Sequence, residues 1–164
     1  MKLSIEFRLN GVLCSAEVAA NDTLLEMLRD GLGVKSPKIG CDYGDCGTCT
    51  VLMDGRSVRS CLVLAAEADG CDIVTLEGIS GKPGWLQHEF AKHNAFQCGF
   101  CAPGIVLAAT ELLSRNSHPT REEIQEAIGG NLCRCTGYLP IVEAIEAAAR
   151  DAGETESLGD RSTP

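Results

Sequence analysis

At 164 residues the chain is long enough for one large domain or two small ones. Its 23 acidic residues outnumber 14 basic ones and give a net charge of −9, which argues against nucleic acid or an anionic membrane surface as a partner. No run of about 18 apolar residues occurs, so we expect no membrane span, and the first residues lack a secretory apolar core. We therefore expect a reducing cytoplasm, where clustered cysteines usually bind metal.

The first elements read as a β-hairpin followed by a short helix. Residues 3–9 alternate apolar and polar side chains, which predicts a half-buried strand. Asn10-Gly11 is a strong hairpin signal and predicts an antiparallel return over residues 12–18. Either Asp22 or Thr23 can be the N-cap of a short helix. Gly31 and Gly33 are expected to end that helix.

A glycine-rich loop carries the first cysteines. It reads Gly40-Cys41-Asp42-Tyr43-Gly44-Asp45-Cys46-Gly47-Thr48-Cys49, and a fourth cysteine, Cys61, follows after a strand-like run. The spacing Cys-x4-Cys-x2-Cys with a distant fourth cysteine is typical of a plant-type [2Fe–2S] site. Its glycines permit positive φ and close approach of the backbone to the sulfurs. A zinc site and disulfides are the alternatives at this point.

Three strands are predicted after that loop. Residues 50–53 and a segment that enters Ser60-Cys61 flank the turn Asp54-Gly55, and residues 73–76 supply one more strand. With the hairpin and the helix, this order fits a β-grasp, ferredoxin-like domain. Propensity alone does not choose that arrangement over other α+β folds.

The second half of the chain reads as four helices. Pro83, Pro103 and Pro140 each suit the first turn of a helix. Thr120-Arg121-Glu122-Glu123 is a capping box that opens the remaining one. Apolar residues recur at helical spacing in each segment, which predicts an all-α four-helix bundle.

Composition divides the chain into three parts. A glycine-rich linker at residues 78–84 separates the two patterns. We place the ferredoxin-like domain at residues 1–78 and the helical domain at residues 79–152. Residues 153–164 are polar and predict a disordered tail.

Two further cysteine pairs lie at the ends of predicted helices. Cys98 and Cys101 precede the second helix, and Cys133 and Cys135 lie between the third and the fourth. Zinc could be held by such ligands, but Cys-x-Cys is a less usual spacing for structural zinc. Helix N-termini beside Cys101 and Cys135 are expected to favour thiolates. A second [2Fe–2S] cluster is the better interpretation.

No chemistry on an organic substrate is visible in the sequence. There is no phosphate-binding glycine loop before a helix and no Ser/His/Asp arrangement. Cys14 and Cys71 fall outside both ligand sets, and we interpret them as a small buried side chain and a free thiol.

Taken together, the motifs resemble those of the small iron–sulfur subunit of the molybdenum hydroxylases, the xanthine dehydrogenase and aerobic carbon monoxide dehydrogenase group. The resemblance covers about residues 2 to 150. It rests on the first cysteine loop with Cys61, on Gln97-Cys98-Gly99-Phe100-Cys101 with Pro103-Gly104, and on Gly130-Asn131-Leu132-Cys133-Arg134-Cys135-Thr136-Gly137-Tyr138. It implies a β-grasp ferredoxin domain followed by a four-helix bundle.

The resemblance also implies an electron relay with two [2Fe–2S] clusters. The cluster held by Cys98, Cys101, Cys133 and Cys135 would lie nearer the molybdopterin-type molybdenum cofactor of a large partner subunit. The cluster held by Cys41, Cys46, Cys49 and Cys61 would lie farther out and pass electrons to an FAD-binding subunit in members that have one.

The resemblance further implies that Gln97 and Cys135 lie within hydrogen-bond reach of the pterin. For Gln97 the alternative is an amide that stabilises its own loop. The alternative functions for the chain are a free-standing electron carrier and an interaction module held by zinc. In this family the partner's pocket sets substrate selectivity, so purines, N-heteroaromatics, aldehydes, aromatic thioesters and carbon monoxide are all open.

Overall fold

The computed structural model describes residues 2–79 and 85–159, and the chain folds as a five-stranded sheet followed by helices. In chain order the elements are β1 (Lys2–Leu9), β2 (Val12–Ala19), α1 (Leu24–Glu26) with a π-helical turn (Met27–Gly31), β3 (Thr50–Met53), β4 (Arg56–Arg59), a 3₁₀ turn (Ala65–Ala68), β5 (Asp72–Val74), α2 (Leu76–Ile79), α3 (Trp85–Lys92), α4 (Ala102–Arg115), α5 (Arg121–Ile128) and α6 (Leu139–Gly159). The predicted α+β class is confirmed. In the described part of the chain, no helix is both long and apolar enough to cross a lipid bilayer.

The predicted hairpin is confirmed. Strands β1 and β2 pair antiparallel along their whole length. Asn10 and Gly11 have φ values of 54° and 83°, the positive values at both central positions that a type I′ turn requires. Ile5 and Phe7 lie on the buried face of β1 and contribute to the core of this half.

Strand β5 lies in the middle of the sheet, whose order is β2-β1-β5-β3-β4. It pairs parallel with β1 and antiparallel with β3. The sequence predicted that this strand runs to Leu76, but it ends at Val74. The Thr75 N–H donates to the Asn10 side chain (2.8 Å) and so leaves the strand ladder. The short helix α2, which was not predicted, begins at Leu76.

Helix α1 begins at a capping box. The Thr23 Oγ1 accepts a hydrogen bond from the Glu26 N–H (3.1 Å), and the Glu26 carboxylate accepts one from the Thr23 N–H (2.8 Å). Of the two candidate caps, Thr23 therefore caps the helix, while Asp22 accepts from the backbone N–H at the end of β2. Leu24 and Leu28 are fully buried in the core shared with the sheet.

The predicted helices of the second half are present as α3 to α6. Helix α4 has Pro103 in its first turn, and α5 begins after a capping box at Thr120. The predicted start at Pro83 lies outside the described residues. The helices share one apolar core, whose fully buried large members are Phe90, Ile105, Ile124, Ile128, Ile141 and Ile145.

Helix α6 extends farther than the sequence predicted. It begins next to Pro140 and continues to Gly159, whereas residues 153–164 were expected to form a disordered tail. Adding residues to an existing helix is far more favourable than nucleating one, so a helix that has formed can continue into a polar segment. Residues 160–164 of that segment lie outside the described part of the chain.

The two halves of the molecule meet at a close backbone contact. Gly47 has a φ of 72°, and a Cβ added there would lie 2.4 Å from the Gly130 carbonyl oxygen. A Cβ added at Gly104 in α4 would lie 2.5 Å from the Gly47 carbonyl oxygen. Asn131 is 2% exposed, and its Nδ2 donates to that same oxygen (2.9 Å) and to the Thr50 Oγ1 (3.1 Å). A tight, buried polar contact thus joins the helical half to the sheet.

We expect Gly104→Ala to lower the free energy of unfolding by about 1–3 kcal/mol, because overpacking a tight contact forces the backbone to move. Gly31→Ala is the matched control, since no atom lies within 4 Å of its added Cβ. In a helical turn that control is expected to be neutral or stabilising by up to about 1 kcal/mol. Denaturant titration of both variants measures the difference. A Gly104→Ala protein as stable as wild type would contradict the tight contact.

Candidate metal centres

The loop from Gly40 to Cys49 holds its cysteines among backbone N–H groups. The Asp45 and Cys46 N–H groups both donate to the Cys41 Sγ at 3.3 Å. A Cβ added at Gly40 would lie 2.7 Å from the Cys46 Sγ, so this position has no room for a side chain. The predicted close approach of backbone to sulfur is confirmed.

The four cysteines of this first set lie as two close pairs. The Cys49 and Cys61 sulfurs are 3.4 Å apart, and the Cys46 side chain lies near enough to Cys41 to help lower the pKa of its thiol. Leu25 of α1 packs against the buried Cys49–Cys61 pair. Two thiolates on one tetrahedral metal with bonds of about 2.3 Å lie about 3.8 Å apart, so the measured pair is close to the spacing of two ligands of one metal atom.

Cys41 and Cys61, one from each pair of the first set, differ in their affinity for protons. Backbone N–H groups of Tyr43 and Cys46 lower the pKa of the Cys41 thiol to about 6. Burial, together with contact to Cys49, raises the pKa of Cys61 to about 11. At neutral pH the Cys41 position already favours the thiolate that metals bind, whereas the buried Cys61 needs a cation to deprotonate it.

The second set is assembled from two loops at helix ends. The Cys98 and Cys135 sulfurs are 3.6 Å apart, and the Cys133 side chain lies near enough to Cys101 to help raise the pKa of its thiol. Each pair joins one cysteine from the loop before α4 with one from the loop before α6. Cys98 and Cys135 are exposed, whereas Cys101 is buried against the helical core.

The predicted effect of helix N-termini on this set is wrong. Cys101 is the N-cap of α4, but burial and contact with Cys133 raise its pKa to about 12. Helix α6 begins only at Leu139, and contact with Cys98 raises the pKa of Cys135. For a buried thiol, loss of hydration outweighs the partial charge of a helix end.

Hydroxyl groups contact sulfur or backbone atoms of both cysteine sets. The sequence analysis did not single out these residues. The Thr48 Oγ1 lies 3.2 Å from the Cys46 Sγ, and the Thr136 Oγ1 lies 3.1 Å from the Cys133 Sγ. Tyr138 accepts a hydrogen bond from the Cys133 N–H (2.9 Å) and donates to a carbonyl of the same loop (3.2 Å). A threonine that closely follows a candidate ligand in each loop is a signal that could have been used. The role of Tyr138 could not be found in this way, because it depends on how the loop folds back on Cys133 and Asn131.

Gln97 lies at the exposed edge of the second set. Its Nε2 donates to the Cys135 carbonyl oxygen at 3.2 Å and so connects the two loops. This bond uses one of the two amide hydrogens, so the same side chain can also donate to and accept from a partner group. The pterin contact expected for Gln97 and Cys135 stays a prediction.

The donor chemistry of both sets fits a [2Fe–2S] cluster. Each set has four thiols in two close pairs, and all ten cysteines are free of disulfides. The 3.4 Å between the Cys49 and Cys61 sulfurs is much longer than an S–S bond of about 2.05 Å. Across residues 2–79 and 85–159, no three His, Cys, Asp or Glu side chains converge as a site for one ion.

Two family descriptions match the chain in series. Residues 7–73 match a 2Fe-2S iron-sulfur cluster binding domain. Residues 75–146 match a [2Fe-2S] binding domain. The division between the two matches falls where the sheet ends and the helices begin.

Two relatives match along nearly their whole length. The chain is 48% identical over 153 residues to the nicotine 6-hydroxylase small subunit of Paenarthrobacter nicotinovorans, with 93% of each chain covered. It is 45% identical over 147 residues to the xanthine dehydrogenase iron-sulfur-binding subunit of Escherichia coli O157:H7, with 87% of this chain and 92% of that one covered. The chain belongs to the small iron–sulfur subunits of the molybdenum hydroxylases.

The small subunit also matches part of a longer chain of known structure. The aldehyde oxidoreductase of Desulfovibrio desulfuricans ATCC 27774 superposes with a TM-score of 0.88 at 40% identity. The match covers 92% of the small subunit and 17% of that chain. The same two-part fold therefore occurs as one segment of a larger polypeptide.

In the small subunit, Glu77 of α2 braces the segment that leads into the first cysteine loop. Its carboxylate accepts hydrogen bonds from the N–H groups of Lys35 (3.1 Å) and Ser36 (2.9 Å) and from the hydroxyls of Ser36 and Thr75. Burial alone would raise the pKa of Glu77, but these donors outweigh it and lower the pKa to about 2. The folded chain therefore favours the charged carboxylate.

We expect Glu77→Gln to lower the free energy of unfolding at pH 7 by about 1–2 kcal/mol, because it weakens hydrogen bonds to a charged group. A lowered folded-state pKa stabilises the fold above the ordinary value of 4.5, and this contribution is lost as the pH falls towards about 2. The difference between wild type and variant should therefore shrink below pH 4.5.

Denaturant unfolding at several pH values measures this difference. Glu126→Gln, at an exposed position of α5, is the matched control and should change little at any pH. A Glu77→Gln difference that persists unchanged in acid would contradict the assigned role of the carboxylate.

Proposed function

We propose that each set of four cysteines holds one [2Fe–2S] cluster. The first set is Cys41, Cys46, Cys49 and Cys61, and the second is Cys98, Cys101, Cys133 and Cys135. The observation that carries the proposal is the arrangement of each set as two close sulfur pairs. A [2Fe–2S] cluster needs two thiolates on each of two irons, whereas structural zinc gathers all four ligands on one atom.

The small subunit serves electron transfer within a molybdenum-containing oxidoreductase. A [2Fe–2S] cluster, when bound, takes up and returns one electron at a time. The chain supplies the surroundings: it buries the Cys49–Cys61 pair, and it directs the Asp45 and Cys46 N–H groups at the Cys41 sulfur. Donors of this kind stabilise added negative charge on the thiolates.

The proposal includes two domains. Residues 1–78 form a β-grasp domain, which the mixed sheet with α1 packed on it supports. Residues 79–152 form a four-helix bundle of α3 to α6, which their single apolar core supports.

The partner at the second set is a large subunit with a molybdopterin-type molybdenum cofactor. Cys98 and Cys135 are exposed there. Phe96 and Phe100 in the loop before α4 are 42% and 44% exposed, and Leu139 at the start of α6 is 56% exposed. An apolar surface of this kind is typical of a protein–protein contact. The aldehyde oxidoreductase of Desulfovibrio desulfuricans supports the assignment, because there the matched segment is 17% of one chain.

Gln97 and Cys135 are the residues that lie within hydrogen-bond reach of that cofactor. The bond from the Gln97 amide to the Cys135 carbonyl fixes both groups at the exposed edge of the second set. The second amide hydrogen and the amide oxygen of Gln97 can pair with a pterin, whose ring atoms both donate and accept hydrogen bonds. Substrate oxidation takes place in the large subunit, and electrons enter the small subunit at this edge.

Electrons leave from the first set, to a medium FAD-binding subunit in complexes that contain one. Tyr43 and Leu62 are exposed beside this set and offer an apolar contact surface for the acceptor. The ten free thiols fit a reducing compartment, which supports the cytoplasm as the location.

Metal analysis and EPR of the purified subunit test the cluster assignment. We expect roughly four irons and four acid-labile sulfides per chain, two of each per site, and two distinct spin-half signals after reduction. Zinc in place of iron, or iron without sulfide, would refute the assignment.

We expect Cys135→Ser to abolish one EPR signal and about half of the iron while the other signal is retained, because the two sets lie in separate halves. Cys14→Ser is the matched control, since Cys14 lies in β2 outside both sets, and it should keep both signals. If Cys135→Ser loses both signals, the two sites are not independent.

We expect Leu139→Asp to release the small subunit from the large one, because it places a charge in the apolar contact surface. Aspartate is favourable in the first turn of a helix, so the fold and both EPR signals should persist. Val12→Asp, at an equally exposed site of β2, is the control. Co-purification with a molybdenum-containing large subunit is the measurement, and a wild-type chain that purifies alone from its native host would favour a free-standing carrier.

A further inference from the structure

One threonine hydroxyl in each half lies against a cysteine sulfur, but the two hydroxyls differ in their other partners. The Thr136 Oγ1 lies 3.1 Å from the Cys133 Sγ, and the Thr48 Oγ1 lies 3.2 Å from the Cys46 Sγ. A thiolate that binds iron has no hydrogen of its own, so each hydroxyl can only donate to its sulfur. A hydroxyl has a single hydrogen, so its other partners decide whether that hydrogen is available.

The hydrogen of Thr136 is available to the sulfur. The Thr136 Oγ1 accepts a hydrogen bond from the Tyr138 N–H at 3.2 Å, which uses a lone pair and not the hydrogen. Among the described residues, no other acceptor competes with the Cys133 sulfur for that hydrogen. Tyr138 is itself held in place, because its hydroxyl accepts from the Cys133 N–H (2.9 Å) and donates to the Asn131 carbonyl oxygen (3.2 Å). Thr136 is therefore a permanent donor to the Cys133 sulfur.

The hydrogen of Thr48 has two acceptors within reach. The Lys38 carbonyl oxygen lies 3.2 Å from the Thr48 Oγ1, the same distance as the Cys46 sulfur. Thr48 is 6% exposed, so water does not readily replace either partner. A Cβ added at Gly40 would lie 2.6 Å from the Thr48 Oγ1, so the hydroxyl is enclosed on that side as well. Thr48 therefore gives up its bond to Lys38 whenever it donates to Cys46.

We propose that these two hydroxyls set the reduction potentials of the two centres to different extents, and that Thr136 raises the potential at the second set more than Thr48 raises it at the first. The proposal rests on the proposed function, since it needs a one-electron centre on each set. Both threonines are positioning residues, because each acts through a cysteine sulfur. No proton is transferred, and only the orientation of a hydroxyl changes.

The expected direction follows from the charge on sulfur. An added electron makes the cysteine sulfurs more negative, so a hydrogen bond to sulfur is stronger in the reduced state than in the oxidised state. Such a bond favours the reduced state and raises the potential. At Thr136 the whole difference contributes. At Thr48 the bond to the Lys38 carbonyl is lost when the hydroxyl turns to the sulfur, and this loss is subtracted from the gain.

The test compares Thr136→Val, which removes the hydroxyl at similar side-chain shape, with Thr136→Ser, which keeps it. Redox titration followed by EPR gives both midpoint potentials in the full chain, and Cys135→Ser identifies the signal of the second set. We expect Thr136→Val to lower the ratio of reduced to oxidised second centre at a fixed potential by up to about tenfold, a shift of up to about 59 mV for one electron. Thr136→Ser should keep the wild-type value, and the first centre is the internal control in both variants.

The same comparison at Thr48 tests the unequal roles. We expect Thr48→Val to lower the potential of the first centre by a smaller amount, with the second centre unchanged, and Thr48→Ser to keep both potentials. A shift in Thr48→Val as large as the shift in Thr136→Val would contradict the competition from the Lys38 carbonyl.

The sign of the shift separates the loss of a donor from a merely looser loop. Greater access of water would stabilise added negative charge and raise the potential, whereas loss of the hydroxyl lowers it. An unchanged or raised potential in Thr136→Val would overturn the proposal, as would an equal fall in Thr136→Ser. If Thr136→Val does not assemble the second centre, Thr136→Ala replaces it with the same expected shift. A wild-type chain without two EPR signals would instead refute the proposed function, so the two failures are distinguishable.

Discussion

The structure of this small subunit depends on bringing cysteine side chains into contact, twice in each half. In the first half the sheet brings Cys49 and Cys61 together. The antiparallel register of β3 and β4 pairs Thr50 with Arg59, which brings the residues just beyond them together. The Ser60 hydroxyl then donates to the Cys49 carbonyl oxygen (2.6 Å), and Cys61 follows beside Cys49. In the second half the start of helix α4 and the loop before α6 position the cysteines instead.

Each set combines a buried side with an open one, and this asymmetry fits the direction of electron flow. Cys49, Cys61 and Cys101 are buried, where loss of hydration raises the pKa of Cys61 and Cys101. Cys98 and Cys135 are exposed beside the surface assigned to the large subunit. A site that must exchange electrons with a partner needs an exposed edge, but the rest of its surface has to exclude water and hold its ligands rigidly.

Much of the architecture follows from local sequence signals, and the rest depends on distant contacts. Asn10-Gly11, the Thr120 capping box and the spacing of Cys41 to Cys49 act within a few residues, so the sequence predicts the hairpin, helix α5 and the ligand loop. The end of β5 could not be predicted in this way, because Asn10 takes the Thr75 N–H across the sheet. The pairing of Cys98 with Cys135 depends in the same way on how two loops are oriented.

Asn131 illustrates why a residue can belong to a recognisable motif while its role stays hidden in the sequence. Its amide donates to the Gly47 carbonyl oxygen and to the Thr50 hydroxyl, which itself donates to Gly47 and accepts from Arg59. An aspartate could not donate these bonds, and an apolar residue would leave buried acceptors unsatisfied. A fully satisfied network of this kind specifies one arrangement of the two halves. The loops and elements around each cysteine set fix the sulfur spacing within each half, whereas this network fixes how the two halves meet.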